Sequence, residues 1–205
     1  MKDYNNLSID DGYTLVKTAR KIVTEYLKNG KKLKLEKEFR NNFSFRSGVF
    51  VTLNSHLGLR GCIGYPLPNK LLFNALEDAA ISAATEDSRF PPVKHKELNS
   101  ITFEVTVLTP PKKIIASNPE EYLKQIKVGR DGLIVKYGFY SGLLLPQVPI
   151  EYRWNEKEFL EYTCEKAGLP KNYWKNPEME IQKFEGIVFK EENPDGPVIR
   201  EVLQD

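Results

Sequence analysis

Apolar residues first recur at helical spacing over residues 9–29, where Leu15, Ala19, Ile22, Val23, Tyr26 and Leu27 make one face. Ser8 with Asp11 three positions on resembles a capping box with Asp in place of Glu or Gln, and Gly30 after Asn29 is a stop signal. The next stretch, KKLKLEKEFRNN, has sparse apolar positions and mixed charge; it reads as a solvated connection or a short helix. The period then shortens. VFVTL (49–53) is β-branched and aromatic, NSHLG (54–58) has the length of a hairpin loop, and LRGCIGY (59–65) returns as a strand. Helical spacing resumes in KLLFNALEDAAISAATED. Asn69 is its expected cap, and Leu72, Leu76, Ala79 and Ala83 form a stripe small enough for close packing on a sheet. Pro91 and Pro92 forbid its continuation.

ITFEVTVLT (101–109) alternates, with Ile101, Phe103, Val105 and Val107 facing one way and Thr102, Glu104 and Thr106 the other. A short helix is expected over 118–126, with Asn118 capping and Pro119 at its first position. Residues 128–148 read as strand, turn and strand, with Asp131-Gly132 and GFYSG as turn signals. Asn155 with Glu158 opens a helix that closes at Gly168, and IQKFEGIVFKEE is a last strand. The tail NPDGPVIREVLQD is expected to be loosely held. There is no regular β-α-β alternation, and the hairpins imply antiparallel pairing. The predicted class is α+β, a mixed, mainly antiparallel sheet flanked by helices.

Length and composition narrow the picture. The chain of 205 residues suits one large domain or two small ones sharing an interface. Thirty basic and 28 acidic residues leave a net charge of +2, which gives no electrostatic case for nucleic acid over the whole chain. A local basic patch stays open. Two cysteines, Cys62 and Cys164, build neither a disulfide framework nor a four-ligand zinc site, and read as reduced intracellular thiols. The N-terminus has no apolar signal region and no run approaches a membrane span, so a cytoplasmic location is expected.

The stretch LGLRGCIGYP holds the most distinctive chemistry. If 59–65 is extended, Leu59, Gly61, Ile63 and Tyr65 share a face that packs into the core. Arg60, Cys62 and Gly64 then share the other, the guanidinium and the thiol about 6–7 Å apart by strand rise. Gly61 and Gly64 admit a close approach to the backbone, by a ligand or by another segment. A neighbouring guanidinium stabilises thiolate and would depress the pKa of Cys62. The plainer alternative is a cysteine acting as a small apolar residue, with glycines that mark a bulge.

LRGCIG resembles the hallmark of the AMMECR family. GVFVTL, DSRFPPV, ELNSITFEVTVLTP, VGRDGLIV, GLLLPQVPIEYRW and FLEYTCEKAGLP resemble its other blocks, in order and over nearly the whole chain. The resemblance implies a two-part α+β fold. A larger subdomain carries both termini (approximately 1–45 and 100–205), a smaller one spans approximately 46–99, and a cleft lies between them. It implies no established reaction and no known cofactor. Memo-like and radical S-adenosylmethionine (radical SAM) proteins are the partners it suggests, through the company that relatives keep; this is association rather than mechanism.

Other residues add to the candidate set. Asp87 and Arg89, before a rigid proline pair, are either a cleft-lining carboxylate and cation or a local ion pair at a helix end. Glu104 is either a general base or, more simply, the salt-bridge partner that holds Arg60. The GRDG stretch presents Arg130 and backbone N–H groups to an anion, or is only a turn. His56, beside the hallmark strand, is within sequence reach of a substrate or the thiol. His95 follows FPPV in a charged loop, and neither histidine has zinc-site spacing. Gln147 lies between two prolines, lining a cleft or bonding backbone, and Cys164 shares a helical stripe that reads as buried. The best functional reading is a protein whose cleft binds a small anionic substrate, as an enzyme or enzyme component. Cys62, Arg60, Asp87 and Glu104 are its catalytic candidates. Gly61, Gly64, Arg89, His56, Gln147 and Arg130 are its binding candidates, with no metal ligand set. The alternatives are a nucleotide- or RNA-binding module and an adaptor for the partners named above.

Overall fold

The computed structural model describes residues 3–201. The amphipathic opening pattern folds as α1 (Ile9–Asn29), with a reciprocal Ser8–Asp11 capping box and a left-handed Gly30 at its end. A short α2 (Lys37–Asn42) follows. β1 (Gly48–Ser55) and β2 (Gly58–Tyr65) make an antiparallel hairpin, then come α3 (Leu72–Thr85) and β3 (Thr102–Leu108). β4 (Lys112–Lys113) and α4 (Pro119–Gln125) lead to a second hairpin, β5 (Asp131–Tyr137) and β6 (Tyr140–Leu144). The described chain ends with α5 (Gln147–Tyr152), α6 (Glu156–Lys166), β7 (Glu180–Glu191) and β8 (Val198–Glu201). The class is α+β with antiparallel pairing, as the hairpin signals predict.

The chain divides into two compact units. One comprises the chain up to Thr109 with Ile187–Glu201; the other is Pro110–Gly186. These limits differ from the expected 46–99 subdomain for a physical reason. β1 pairs with β3 in an unbroken ladder from Gly48↔Leu108 to Asn54↔Thr102, and a boundary near residue 100 would cut it.

In the first unit the strands run in the order β2-β1-β3, followed by the end of β7, with β8 paired to β7. Strand alternation sends Val49, Val51, Leu53, Phe103, Val105 and Val107 to one face, where all are fully buried with Leu15, Ile22 and Leu76 of α1 and α3. Glu191 ties this unit together. It is almost fully buried, takes two bonds from Arg20 of α1 and accepts the backbone N–H of Phe103 at 3.0 Å. In the second unit β7 pairs β5, β5 pairs β6, and β4 pairs β7. Its core gathers Leu133, Val135, Phe159, Leu160, Cys164, Trp174 and Ile181.

Several local expectations are corrected. α3 is capped by Leu71, not Asn69. Its first free N–H groups, on Leu72 and Phe73, go to the backbone carbonyls of Phe45 and Phe43, which replaces a side-chain cap. The turn expected at Asp131-Gly132 comes earlier, at Gly129 (φ +84°), and Asp131 already begins β5. Gly132 is a packing glycine: a Cβ there would stand 2.3 Å from the Phe184 ring. The strand expected to run to Val148 stops at Leu144, and Gln147–Tyr152 is helical. In the tail, residues 198–201 are held as β8 against β7; residues 202–205 lie outside the described residues.

Candidate functional site

β2 carries the hallmark and lies at the edge of its sheet. Its register against β1 contains a bulge. Ser55↔Gly58 and Asn54↔Leu59 pair directly, but the next pair is Leu53↔Gly61, so Arg60 is the extra residue. From there Thr52 faces Cys62 and Phe50 faces Gly64. On its other side β1 sets Thr52 opposite Glu104. Cys62, Thr52 and Glu104 therefore form one transverse row, on the face opposite the helices. The strand spacing of about 4.8 Å leaves roughly 10 Å of backbone between thiol and carboxylate residues.

The bulge changes what Arg60 does. Its side chain leaves the row and pairs with Glu97 (Nε to Oε2, 3.1 Å), donating also to the carbonyl of Pro91 at 2.8 Å. Two expectations fall with this. Glu104 is not the partner of Arg60, and Arg60 does not acidify Cys62. The Cys62 thiol is pushed above its ordinary value, mainly by burial. The Thr52 hydroxyl at 3.3 Å and the charge of Arg89 pull the other way, while Glu104 and Asp87 add to the rise. At neutral pH it is a thiol rather than a thiolate.

The two glycines have structural occupants. A Cβ on Gly61 would stand 2.1 Å from the Ala83 carbonyl oxygen of α3, and one on Gly64 would meet the Val49 carbonyl and the Phe50 ring at 2.3–2.4 Å. Of the two approaches the sequence left open, another segment is the one seen. Leu59, expected in the core, is 39% exposed beside the bulge, whereas Ile63 and Tyr65 pack against the core.

Asp87 and Arg89 serve the free edge of β2. The Asp87 carboxylate accepts the backbone N–H of Cys62 at 2.9 Å, and Arg89 Nη2 approaches the carbonyl of the same residue at 3.4 Å. The two side chains are joined by Nε–Oδ1 (2.9 Å) and Nη2–Oδ2 (2.7 Å) bonds. The pair thus supplies the donor and the acceptor that an adjacent strand would otherwise provide. The Arg89 guanidinium holds the Asp87 carboxyl well below the usual carboxylate range, helped by the two backbone N–H bonds and against the cost of burial. The Asp87 side chain is 5% exposed and that of Arg89 is 55% exposed, so the cation keeps a face toward solvent.

Glu104 is the reverse case. It has no ion-pair partner among the described residues, and burial pushes its carboxyl up to about 6. Glu201 adds to the rise; Lys190, which bonds Glu201, only partly offsets it. The Thr106 hydroxyl lowers the value slightly without closing a well-formed hydrogen bond, and Thr106 Oγ1 is buried with no other partner among the described residues.

The structure thus brings together Cys62, Gly61, Gly64, Asp87, Arg89 and Glu104, with Arg60 beside them but turned to Glu97. His56 is exposed in the hairpin turn and makes no side-chain hydrogen bond among the described residues. Arg130 and Gln147 belong to the second unit. The Arg130 guanidinium is taken up by Asp131 at 2.7–2.8 Å, and the N–H groups of Arg130 and Asp131 both go to the Lys127 carbonyl. The expected anion nest is therefore filled by the chain itself. Gln147 does not bond backbone through Oε1, which is buried without a partner among the described residues. Cys164 is fully buried, and burial pushes its thiol up to about 11. Sequence reasoning missed Thr52, Thr106 and Glu97. Counting back from the hairpin turn would pair Thr52 with Gly61; only the bulge sets it against Cys62. Among the described residues no group of three or more His, Cys, Asp or Glu is placed to hold a metal, and no helix is long and apolar enough to cross a membrane.

Comparison with known proteins agrees with the family resemblance. The AMMECR1 family model matches residues 16–189. The chain is 51% identical to protein MK0488 of Methanopyrus kandleri over 195 residues, covering 94% of each. It is 52% identical to protein PYRAB00100 of Pyrococcus abyssi over 197 residues, 94% of this chain and 96% of that one. The crystal structure of the uncharacterized protein PH0010 from Pyrococcus horikoshii superposes with a TM-score of 0.86 at 49% identity, covering 94% of this chain and 97% of that one. The match runs through the hallmark strand, both units and most of the sequence, and the chain belongs to the AMMECR1 family.

Proposed function

We propose that the row behind the hallmark strand is a binding site for a small anionic substrate. Arg89 meets the anion, and Glu104 holds or accepts a proton beside it. One observation carries the reading: a half-buried carboxyl without an ion-pair partner among the described residues, poised near pH 6, shares a sheet face with a protonated thiol and a hydroxyl. Evolved sites for proton transfer show this kind of shifted group, since a base is most useful when its pKa lies near the working pH. Glu104 is then the candidate base. Thr52 links the row, and Cys62 is a weak donor rather than a nucleophile, because its pKa is raised. Asp87 acts through Arg89 by fixing the guanidinium, a positioning role.

The test is a binding screen of small carboxylates and phosphates by NMR, on wild type, Arg89→Gln and Glu104→Gln. The reading expects an anion that shifts the amides of 60–64 and 102–106 and binds at least about tenfold more weakly to Arg89→Gln, the worth of one charged hydrogen bond. An anion panel that leaves those amides unmoved defeats it.

A second reading, a nucleotide- or RNA-binding module, draws on the second unit. Tyr152, Trp154 and Tyr162 stack in sequence, with centroids 4.9 and 4.0 Å apart and planes within 17°, and Tyr152 is 65% exposed. Such rings suit base stacking. The first reading is preferred because α6, which bears Tyr162, carries four glutamates against two lysines, and the Lys171 ammonium already covers the Tyr162 ring, 3.9 Å from its centroid.

A further inference from the structure

We infer that a groove at the start of α2, apart from the hallmark row, binds a small organic phosphate with a flat apolar body. The groove lies within the first unit, has a volume of about 520 Å³, and is lined by Lys34, Leu35, Lys37, Arg40, Asn41, Ser44, Leu71 and Phe73. That volume falls in the range of small-molecule sites, about 300–1,000 Å³.

Its lining is electrically one-sided. Lys34, Lys37 and Arg40 are cationic, no carboxylate lines the groove, and none of the three cations has an ion-pair partner among the described residues. This is not the rule nearby: Lys32 and Lys70 each reach Asp78 at 2.8 Å. Lys37 and Arg40 are three apart on α2 and so point the same way. The Arg40 guanidinium sits 5.4 Å from the centroid of Phe73, held over the floor by the ring. A planar guanidinium so fixed presents a fork that matches two phosphate oxygens, and the lysines add charge at its flanks. The Ser44 hydroxyl already donates to the Asn41 carbonyl at 3.0 Å, while the Asn41 side-chain amide has no partner among the described residues and offers a donor.

The floor decides between a bare anion and an organic one. Leu35, Leu71 and Phe73 are apolar and contiguous with the core. Inorganic phosphate would leave that floor wet. A ring esterified to phosphate covers it while its dianion meets the three cations.

The experiment is an amide-shift NMR titration of the full chain with phenyl phosphate, alongside inorganic phosphate and benzyl alcohol. The inference expects shifts confined to residues 34–44 and 71–73. It expects phenyl phosphate to bind at least about tenfold more tightly than either fragment. Lys37→Gln with Arg40→Gln should weaken binding by about tenfold or more, as loss of charged hydrogen bonds implies, while Lys28→Gln with Lys31→Gln, outside the lining, should not. Arg40→Lys keeps the charge and removes the fork, and should fall between. Equal binding of phenyl and inorganic phosphate, shifts elsewhere, or indifference to the Lys37/Arg40 change each overturn it. None of these outcomes bears on Arg89 or Glu104, so the two sites are judged separately.

Discussion

Gly61→Ala tests how the hallmark strand is built. The new methyl carbon would stand 2.1 Å from the Ala83 carbonyl oxygen, whereas real Cβ contacts essentially never fall below 3.0 Å. Relief requires β2 and α3 to part by about 1 Å. Both sides are backbone, Ala83 lies inside a buried helix face, and no rotamer change can absorb the displacement. Overpacking of this kind costs about 1–3 kcal/mol, occasionally more. The smaller unfolded-state entropy of alanine returns about 0.4–1 kcal/mol of that. A net loss of about 1–2 kcal/mol lowers the melting temperature by about 2–8 °C in a chain of this size. The assay is equilibrium denaturation with calorimetry, with Leu57→Ala as the neighbouring control. Leu57 is 86% exposed, so that change should stay within about 0.5 kcal/mol. If Gly61→Ala keeps wild-type stability, α3 does not press on this strand, and the glycine must be explained by something outside the chain.

Three further outcomes follow from the charges. Glu104 has a folded-state value raised from 4.5 to about 6, so the native protein holds an extra proton between those values and loses stability as pH rises through them. Glu104→Gln should therefore be more stable than wild type by about 2 kcal/mol above pH 6, a gain that fades to nothing below about pH 4.5 in paired urea titrations. Asp87 is depressed and has the opposite sign. Asp87→Ala should cost about 1–3 kcal/mol at neutral pH, discounted for the solvent open to Arg89, and the two proteins should converge in strong acid as the wild-type carboxyl is protonated. Alkylation of Cys62 by iodoacetamide should be slower at pH 7.5 than for a free thiol. It should speed up in Glu104→Gln, because the carboxylate charge that raises the thiol is gone; equal rates in the two proteins would separate the groups.

Most of the architecture was legible because its signals are local. The Ser8, Asn118 and Asn155 caps, the left-handed Gly30 and the alternation of 101–109 are each set by neighbours within a few residues. What was not legible depends on distant backbone. Asn69 looks like a cap, but the carbonyls of Phe43 and Phe45 do its work from another part of the chain. Asp131-Gly132 has a turn's composition, yet the glycine serves the Phe184 ring across the sheet. The bulge at Arg60 is the costliest case. One unpaired residue moves Thr52 opposite Cys62, sends Arg60 to Glu97, and hands the role expected of Arg60 to Arg89. The sequence left a bulge open as one meaning of the glycines, but nothing in LRGCIG places it at Arg60.

The row of Cys62, Thr52 and Glu104 is tested most directly by a ¹³C NMR titration of the Glu104 side-chain carboxyl. A midpoint near pH 6, with a parallel shift at Thr106, is the predicted result. A midpoint near the ordinary glutamate value of about 4.3 would mean a solvated carboxylate, and the proposed proton-holding site would have no base.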